Sequence, residues 1–368
     1  MTKKQRNVNL DLLRIVSMLL IVFLHSIDHS GVLENAAACG TGMYFYVRFT
    51  YALCQVCVNI YIMLSGYFMV TSTFRLQKLV TLWMEASFYA FTLKLVFMLT
   101  GQDAFSVTSL ASCFVPILTG RYWFLTIYVG MYLVSPFLNI LIRALDRKQH
   151  ALLNLALFAL MSVWVSLHPA IAGMNSGGGW GLAWFVTLYI TAAWLRLYYT
   201  PDGKPGRWFV GYLAIPAVMA ALQCPPPADI FPGIVSTIVT HWFRYDSAPV
   251  YLMTMCLFLG FLNIRITGKR LSAAIAQIAP LTLGVYLIHA QANVSPWSWA
   301  VLDLPAKMTG WTFVPVQFAA VFGIFAVCAA MDRVRKATLG RLESSVGLKK
   351  LCKAIETWLA EKWNALLS

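Results

Sequence analysis

The chain has 368 residues, of which 60% are apolar and 11% charged, and its formal net charge is +14. An ordinary soluble domain has roughly 45–50% apolar and roughly 25% charged residues, so this composition, with a mean hydropathy of +0.70, excludes a soluble globular enzyme, a disordered chain and a small secreted scaffold. A polytopic membrane protein in a lipid bilayer is the class that remains. The positive charge does not point to nucleic acid, because Lys and Arg collect in the cytoplasmic loops of membrane proteins.

In chain order, ten segments are apolar enough to span a bilayer as helix: roughly 8–28, 49–70, 78–100, 122–142, 150–168, 180–198, 208–224, 247–264, 273–291 and 311–331. The expected fold is all-α. The runs are continuously apolar rather than alternating, which excludes an outer-membrane barrel. With the N-terminus in the cytoplasm, only Arg48, Arg121, Arg244 and Lys307 fall on the outer side and Lys94 within a span. Every other Lys and Arg falls on the inner side, which supports ten spans with both termini cytoplasmic. Residues 1–337 then form the membrane domain and 338–368 a cytoplasmic tail. In the tail Leu348, Leu351, Ile355, Leu359, Trp363 and Leu366 recur at helical spacing between lysines. That pattern fits an amphipathic helix on the inner membrane surface, or equally a packed soluble helix. Asp11 and Arg14 interrupt the first apolar run, which is read as a retained span and not a cleaved signal.

Ionisable groups inside a membrane are functional candidates by default. Span one carries Asp11, Arg14, His25, Asp28 and His29. Asp11 and Arg14 share a helix face and form a salt pair at the inner interface. Arg14 and His25 are three helical turns apart, nearly on one face and about 16 Å apart along the axis. The stripe reads either as a route across the membrane or as an interface pair ending in a hydrogen-bonded histidine. His25 and His29 lie at a spacing that suits a metal, but no third ligand is identifiable and no metal is expected.

Span two ends in Ser65-Gly66-Tyr67, where small residues let helices approach closely. Arg75 and Lys78 follow, as a phosphate grip or as part of the positive-inside bias alone. Glu85 and Lys94 lie inside span three and face away from lipid. They are too far apart to pair with one another, except through other helices. Span four opens with Arg121-Tyr122-Trp123-Phe124-Leu125, with Pro136 further along, and span nine contains Gly284-Val285-Tyr286-Leu287-Ile288-His289. His289 lies at the depth of His25, lining the same cavity or capping its own helix. There are eight cysteines. Cys54-x-x-Cys57 lies inside a span without a second pair and is read as helix packing; Cys39, Cys113 and Cys224 fall on the outer side, where one disulfide is open.

These motifs resemble the acyltransferase-3 family of integral membrane acyltransferases over nearly the whole chain. Arg14 and His25 match its R-x10-H motif, Ser65-Gly66-Tyr67 its motif at the end of the next helix, Tyr122 to Leu125 with Pro136 its WFL…P helix, and Gly284 to His289 its late GxYLxH helix. The family's R-x-x-R reads Arg75-x-x-Lys78 here, which keeps the charge but loses one bidentate fork. Tyr245-Asp246-Ser247-Ala248-Pro249 is most similar to the branch acting on surface polysaccharides.

The resemblance implies a multi-pass protein of a bacterial inner membrane. Its co-substrate would be acyl-CoA, typically acetyl-CoA, with no permanently bound cofactor and a saccharide or glycolipid hydroxyl as acceptor. Arg14, Arg75 and Lys78, with Ser65 and Tyr67, would hold the donor. His25 would act as general base or acyl relay, and Asp11 would orient Arg14. Ser65, Tyr67 and His289 are candidate oxyanion donors, and Glu85, Arg121 and Trp123 further site candidates. The rival expectation is a solute-uptake module without acyl transfer, against which stands the absence of a visible inverted repeat.

Overall fold

The computed structural model describes residues 6–168, 177–224, 233–340 and 345–367, without the side chains of 359, 360 and 362–367. Among the described residues every regular element is helical. In lipid no water is present to satisfy backbone polar groups, so a continuously apolar chain closes its hydrogen bonds within helices. Counting helices of eight or more residues, α1 is Val8–Asp28, α2 Thr41–Cys54, α3 Cys57–Met69, α4 Leu76–Leu99, α5 Trp123–Ala144, α6 Arg147–Phe158, α7 Leu182–Tyr198 and α8 Gly206–Ala221. Then come α9 Ile234–His241, α10 Ala248–Asn263, α11 Lys269–Ile278, α12 Thr282–His289, α13 Val294–Leu302, α14 Phe313–Thr338 and α15 Val346–Leu367.

Among the described residues seven segments are long and apolar enough to cross a membrane. They are α1, α2 with α3, α4, α5, α6 continued to Leu167, α11 with α12, and α14. The other three expected spans correspond to α7, α8 and α10, which have 17, 16 and 16 residues. Helices of that length measure about 24–26 Å, short of the ~30 Å hydrocarbon core. Two expected spans are interrupted where the chain dictates it. Pro280 introduces a 3-10 turn, Ala279–Leu281, between α11 and α12, and a turn at Gln55 and Val56 separates α2 from α3. The last span runs seven residues beyond the expected 331, to Thr338, because Asp332 and Arg335 find buried partners.

The interior is built from α1, α3, α7 and α12, whose large side chains, among them Leu13, Ile60, Trp184 and Leu287, are fully enclosed. Outer helices leave apolar faces open, such as Leu133, Phe137 and Ile140 on α5 and Phe322 and Val327 on α14. Faces of that kind belong against lipid. Three buried amides stitch the interior. Asn59 donates to the Tyr245 carbonyl at 2.8 Å and accepts from Trp184 Nε1 at 3.0 Å. Asn139 donates to the Met69 carbonyl and accepts from the Tyr189 hydroxyl. Gln317 donates to Ser26 Oγ and accepts from the Tyr46 hydroxyl. Cys54 and Cys57 are buried free thiols, and Cys39, Cys113 and Cys224 are also unpaired.

The small-residue motif at 65–66 acts as a helix crossing. A Cβ on Gly66 would lie 2.9 Å from both the Cα and the carbonyl oxygen of Tyr189, so α3 and α7 meet backbone to backbone. The last helix has its own contacts: the Leu76 N–H at the start of α4 donates to the Glu356 carboxylate of α15. Cys352 is buried there, while Leu351, Ile355 and Trp358 are exposed. Leu359, Trp363 and Leu366 of the expected stripe lie outside the described side chains. Because the α3–α7 crossing has no side chain to repack, Gly66→Val is expected to cost about 1–3 kcal/mol. Thermal unfolding of the detergent-purified variant measures this, and an unchanged midpoint would refute the crossing.

Candidate active site

Helix α1 sets the frame. The Asn7 side chain caps it by accepting from the Leu10 N–H at 3.3 Å, and the helix then runs unbroken to Asp28. The three-turn spacing places Arg14 and His25 on one stripe. Both line the same cavity, of about 470 Å³. Its walls are Tyr61 and Ser65 of α3, Trp123, Phe124 and Tyr128 of α5, and Thr282 and Tyr286 around α12.

At the Arg14 end, Asp11 accepts from Arg14 Nη1 at 3.2 Å and also pairs with Arg6. The Tyr61 hydroxyl donates to the Arg14 carbonyl at 3.1 Å, and Ser65, one turn further along α3, donates to the Tyr61 carbonyl. A second recess, of about 370 Å³, is lined by Arg75, Lys78, Glu85 and Tyr132 and shares Leu82, Tyr128 and Leu283 with the first. The Tyr132 hydroxyl fixes its rim, accepting from the Arg75 N–H at 3.0 Å and donating to the Arg75 carbonyl at 3.2 Å. The Lys78 ammonium lies 5.9 Å from the Tyr132 ring centre. The expected donor-site residues Arg14, Ser65, Arg75 and Lys78 are thus brought to one end. Tyr67 is not. Two residues beyond Ser65 it lies about 200° around the helix, and it packs against Phe258 with the Arg196 guanidinium 5.1 Å from its ring.

At the other end, two histidines make one unit. His289 Nδ1 is 2.6 Å from the Val285 carbonyl, and His289 Nε2 is 3.1 Å from His25 Nδ1. A carbonyl only accepts, so His289 carries its proton on Nδ1 and, when neutral, has Nε2 free to accept. His25 must therefore donate from Nδ1, and its own Nε2 holds the lone pair. The His25 ring also stacks on His29, with centres 4.2 Å apart, and His29 Nδ1 lies 3.3 Å from Ser295 Oγ. Asp28, Arg121 and Trp123 line the cavity here. Arg121 Nη2 donates to the Ser109 carbonyl at 3.0 Å and to Ser112 Oγ at 2.5 Å.

The three expected oxyanion donors do not converge at His25. His289 has both nitrogens engaged, Ser65 is at the Arg14 end with its hydroxyl committed to Tyr61, and Tyr67 is outside the cavity. Among the described residues no three His, Cys, Asp or Glu side chains cluster as a metal site would require.

Glu85 and Lys94 find separate partners. Glu85 meets Arg335 Nη2 at 2.8 Å, while Arg335 Nε meets Asp332 at 2.9 Å. Lys336 and the Tyr89 hydroxyl also bind Asp332, each at 2.9 Å. The late glycine of the sequence motif makes room for this group, since a Cβ on Gly284 would lie 2.2 Å from Asp332 Cγ. Sequence reasoning missed the network by ending the last span at 331, which left Arg335 among the cations of the inner side. The usable signal was the acid–base pair three residues apart on the last helix. Lys94 pairs instead with Asp103 in the following loop. That carboxyl is held below the usual carboxylate range, first by the Lys94 hydrogen bond and then by the one from Asn293.

A helical bundle with lipid-facing sides, enclosing a cavity with a half-buried arginine at one end and a histidine pair at the other, is the architecture of a multi-pass membrane protein. The family profile described as an acyltransferase domain matches residues 7–333, and the chain belongs to the acyltransferase-3 family. It is a membrane acyltransferase. Comparison with curated proteins and with solved structures returned no match.

The Glu85–Arg335–Asp332 network has a measurable consequence. Removing the guanidinium takes the ion pair from buried Glu85 and leaves Asp332 with Lys336 and Tyr89 alone, and breaking a buried pair costs about 3–5 kcal/mol. Arg335→Met is expected to lower the thermal midpoint by several degrees, and unaltered stability in a thermal scan would count against the network.

Proposed function

We propose that the protein transfers an acyl group, most simply acetyl, from cytoplasmic acyl-CoA to a hydroxyl of a cell-surface or lipid-linked saccharide. The observation that carries this reading is the single cavity joining Arg14 to His25. In this reading the Arg14 end faces the cytoplasm of a bacterium and the His25 end opens beyond its inner membrane. The short helices α7, α8 and α10 complete ten spans, supported by the burial of α7 and α10 and by the open apolar face of α8 at Val210, Leu213 and Val218. Residues 1–337 are the membrane domain, and α15 rests on the inner surface with Leu351, Ile355 and Trp358 toward lipid.

Arg14, Arg75 and Lys78 hold the donor's phosphates, with Asp11 orienting Arg14 and Ser65 lining the path. The extended thiol arm runs along the α1 stripe and delivers the thioester to His25. His25 Nε2 accepts the acceptor's hydroxyl proton while the oxygen attacks the thioester carbonyl carbon. The tetrahedral intermediate collapses with loss of the thiolate, the ester forms, and the proton on His25 returns to sulfur to give free CoA. His289 is a positioning residue in this scheme. It takes the hydrogen bond from His25 Nδ1 and so keeps the basic nitrogen toward the substrate.

His25→Ala, purified in nanodiscs, is expected to lose about 10²–10⁴-fold of acyl transfer from labelled acetyl-CoA while remaining folded. Full transfer in that variant removes the mechanism, and counterflow of a solute without CoA would replace it with the carrier reading. Arg14→Ala is expected to weaken CoA binding, and an unchanged CoA affinity refutes its phosphate role. His289→Gln keeps an oxygen that accepts from His25, so its kcat is expected to exceed that of His289→Ala. Equal values, with equal pH profiles, argue against positioning.

A further inference from the structure

Beside the histidines, the cavity carries a feature that acyl transfer does not by itself require. Trp123, Trp180 and Tyr245 come from three separate parts of the chain and all line it. The Trp123 and Trp180 rings stack at 4.5 Å with planes 16° apart. Tyr245 lies 6.5 Å from Trp123 and 6.3 Å from Trp180, its plane within 31° of both. The wall reaches the histidines through ring contacts, from Trp123 to Phe124 at 6.0 Å, to Tyr286 at 5.9 Å and to His289 at 6.3 Å.

The placement of Trp180 is built into the backbone. Gly177, Gly178 and Gly179 precede it with φ of +70°, +78° and +87°, a left-handed run that side-chain-bearing residues rarely adopt. A Cβ on Gly179 would lie 2.5 Å from Tyr245 Cβ and 2.9 Å from the Asp246 nitrogen. The strap therefore lies directly on Tyr245 and presents the indole to the cavity. Trp180 remains 52% exposed, a large aromatic surface for a residue so constrained.

We propose that this three-ring wall is the acceptor subsite, that it takes the C–H face of a pyranose ring, and that Trp180 sets its specificity. The proposal rests on the acyl-transfer reading above and names where its acceptor binds. The chemistry of the rim selects the occupant. Asp28, His29 and Arg121 line the same end of the cavity and supply hydrogen-bonding groups of both charge signs. A pyranose presents an apolar face to flat rings and hydroxyls at its edge, and so uses both. An acyl chain or lipid tail would cover the charged rim and offer it no hydrogen bond.

The test separates binding from chemistry. In nanodiscs, the His25→Ala protein is probed by saturation-transfer NMR with the methyl pyranosides of glucose, galactose and mannose, with 1-hexanol as the apolar control. Transfer to the ring C–H protons of at least one glycoside is expected, falling about tenfold when Trp180→Ala is added. No transfer to any of the three, transfer independent of Trp180, or a Trp180-dependent signal from hexanol instead overturns the proposal. In the active protein, Trp180→Ala is expected to raise the acceptor KM about tenfold with the acetyl-CoA KM unchanged, and Trp180→Phe to recover most of the loss. Equal acceptor KM values overturn the subsite while transfer stands. A wild-type protein that transfers no acyl group removes the reaction, and the NMR arm still decides the wall.

Discussion

A backbone carbonyl sets where the protons of the histidine pair beside this cavity sit. Val285 accepts the proton-bearing nitrogen of His289, which leaves His289 to accept from His25 and gives His25 a basic nitrogen. The arrangement holds only while α12 keeps its place beside α1, and α12 is fastened on two sides. The Tyr122 hydroxyl donates to the Leu287 carbonyl at 2.9 Å, and Gly284 lies against Asp332, itself pinned by Arg335, Lys336 and Tyr89. A charge cluster near one end of the bundle thereby sets the height of an imidazole near the other.

Polar groups organise the interior more than apolar ones do. Within a bilayer, apolar side chains gain little from leaving lipid for protein, and packing and interhelical hydrogen bonds decide which helices associate. Asn59, Asn139 and Gln317 each tie together segments far apart in the chain. Single ties of this kind contribute about 0.6 kcal/mol on average, so their value here is register. They fix which turn of one helix meets which turn of the next. The backbone contact at Gly66 does the same without a side chain.

What the sequence made legible was whatever a single helix can encode. The Arg14–His25 stripe follows from one period and one spacing, and both residues do line one cavity. The shared depth of His289 and His25 was readable, but depth left lining and capping both open, and the contact between the two rings is set by packing. Residues whose partners lie on other helices were not readable. Glu85 and Lys94 stood out as buried charges, yet Arg335 and Asp103 are set by tertiary packing. Tyr67 shared a motif with Ser65 but faces another way, because neighbours in sequence diverge by 100° per residue on a helix. Trp180 carried no periodic signal, since it sits in a turn positioned by glycines. The lengths of α7, α8 and α10 were blurred for a related reason: apolar flanks continue past the points where the helices stop.

One contact at the edge of the bundle links two parts of the molecule that sequence keeps 280 residues apart. The Glu356 carboxylate occupies the first free amide of α4, beside Arg75 and Lys78. Helix starts and cations attract anions for the same electrostatic reason, and here the chain supplies one itself. Any other anion coming to that turn competes with Glu356 or shares the turn against its repulsion. An anion bound at that turn and the docking of the last helix would therefore oppose one another, each weakened by the other to the same degree.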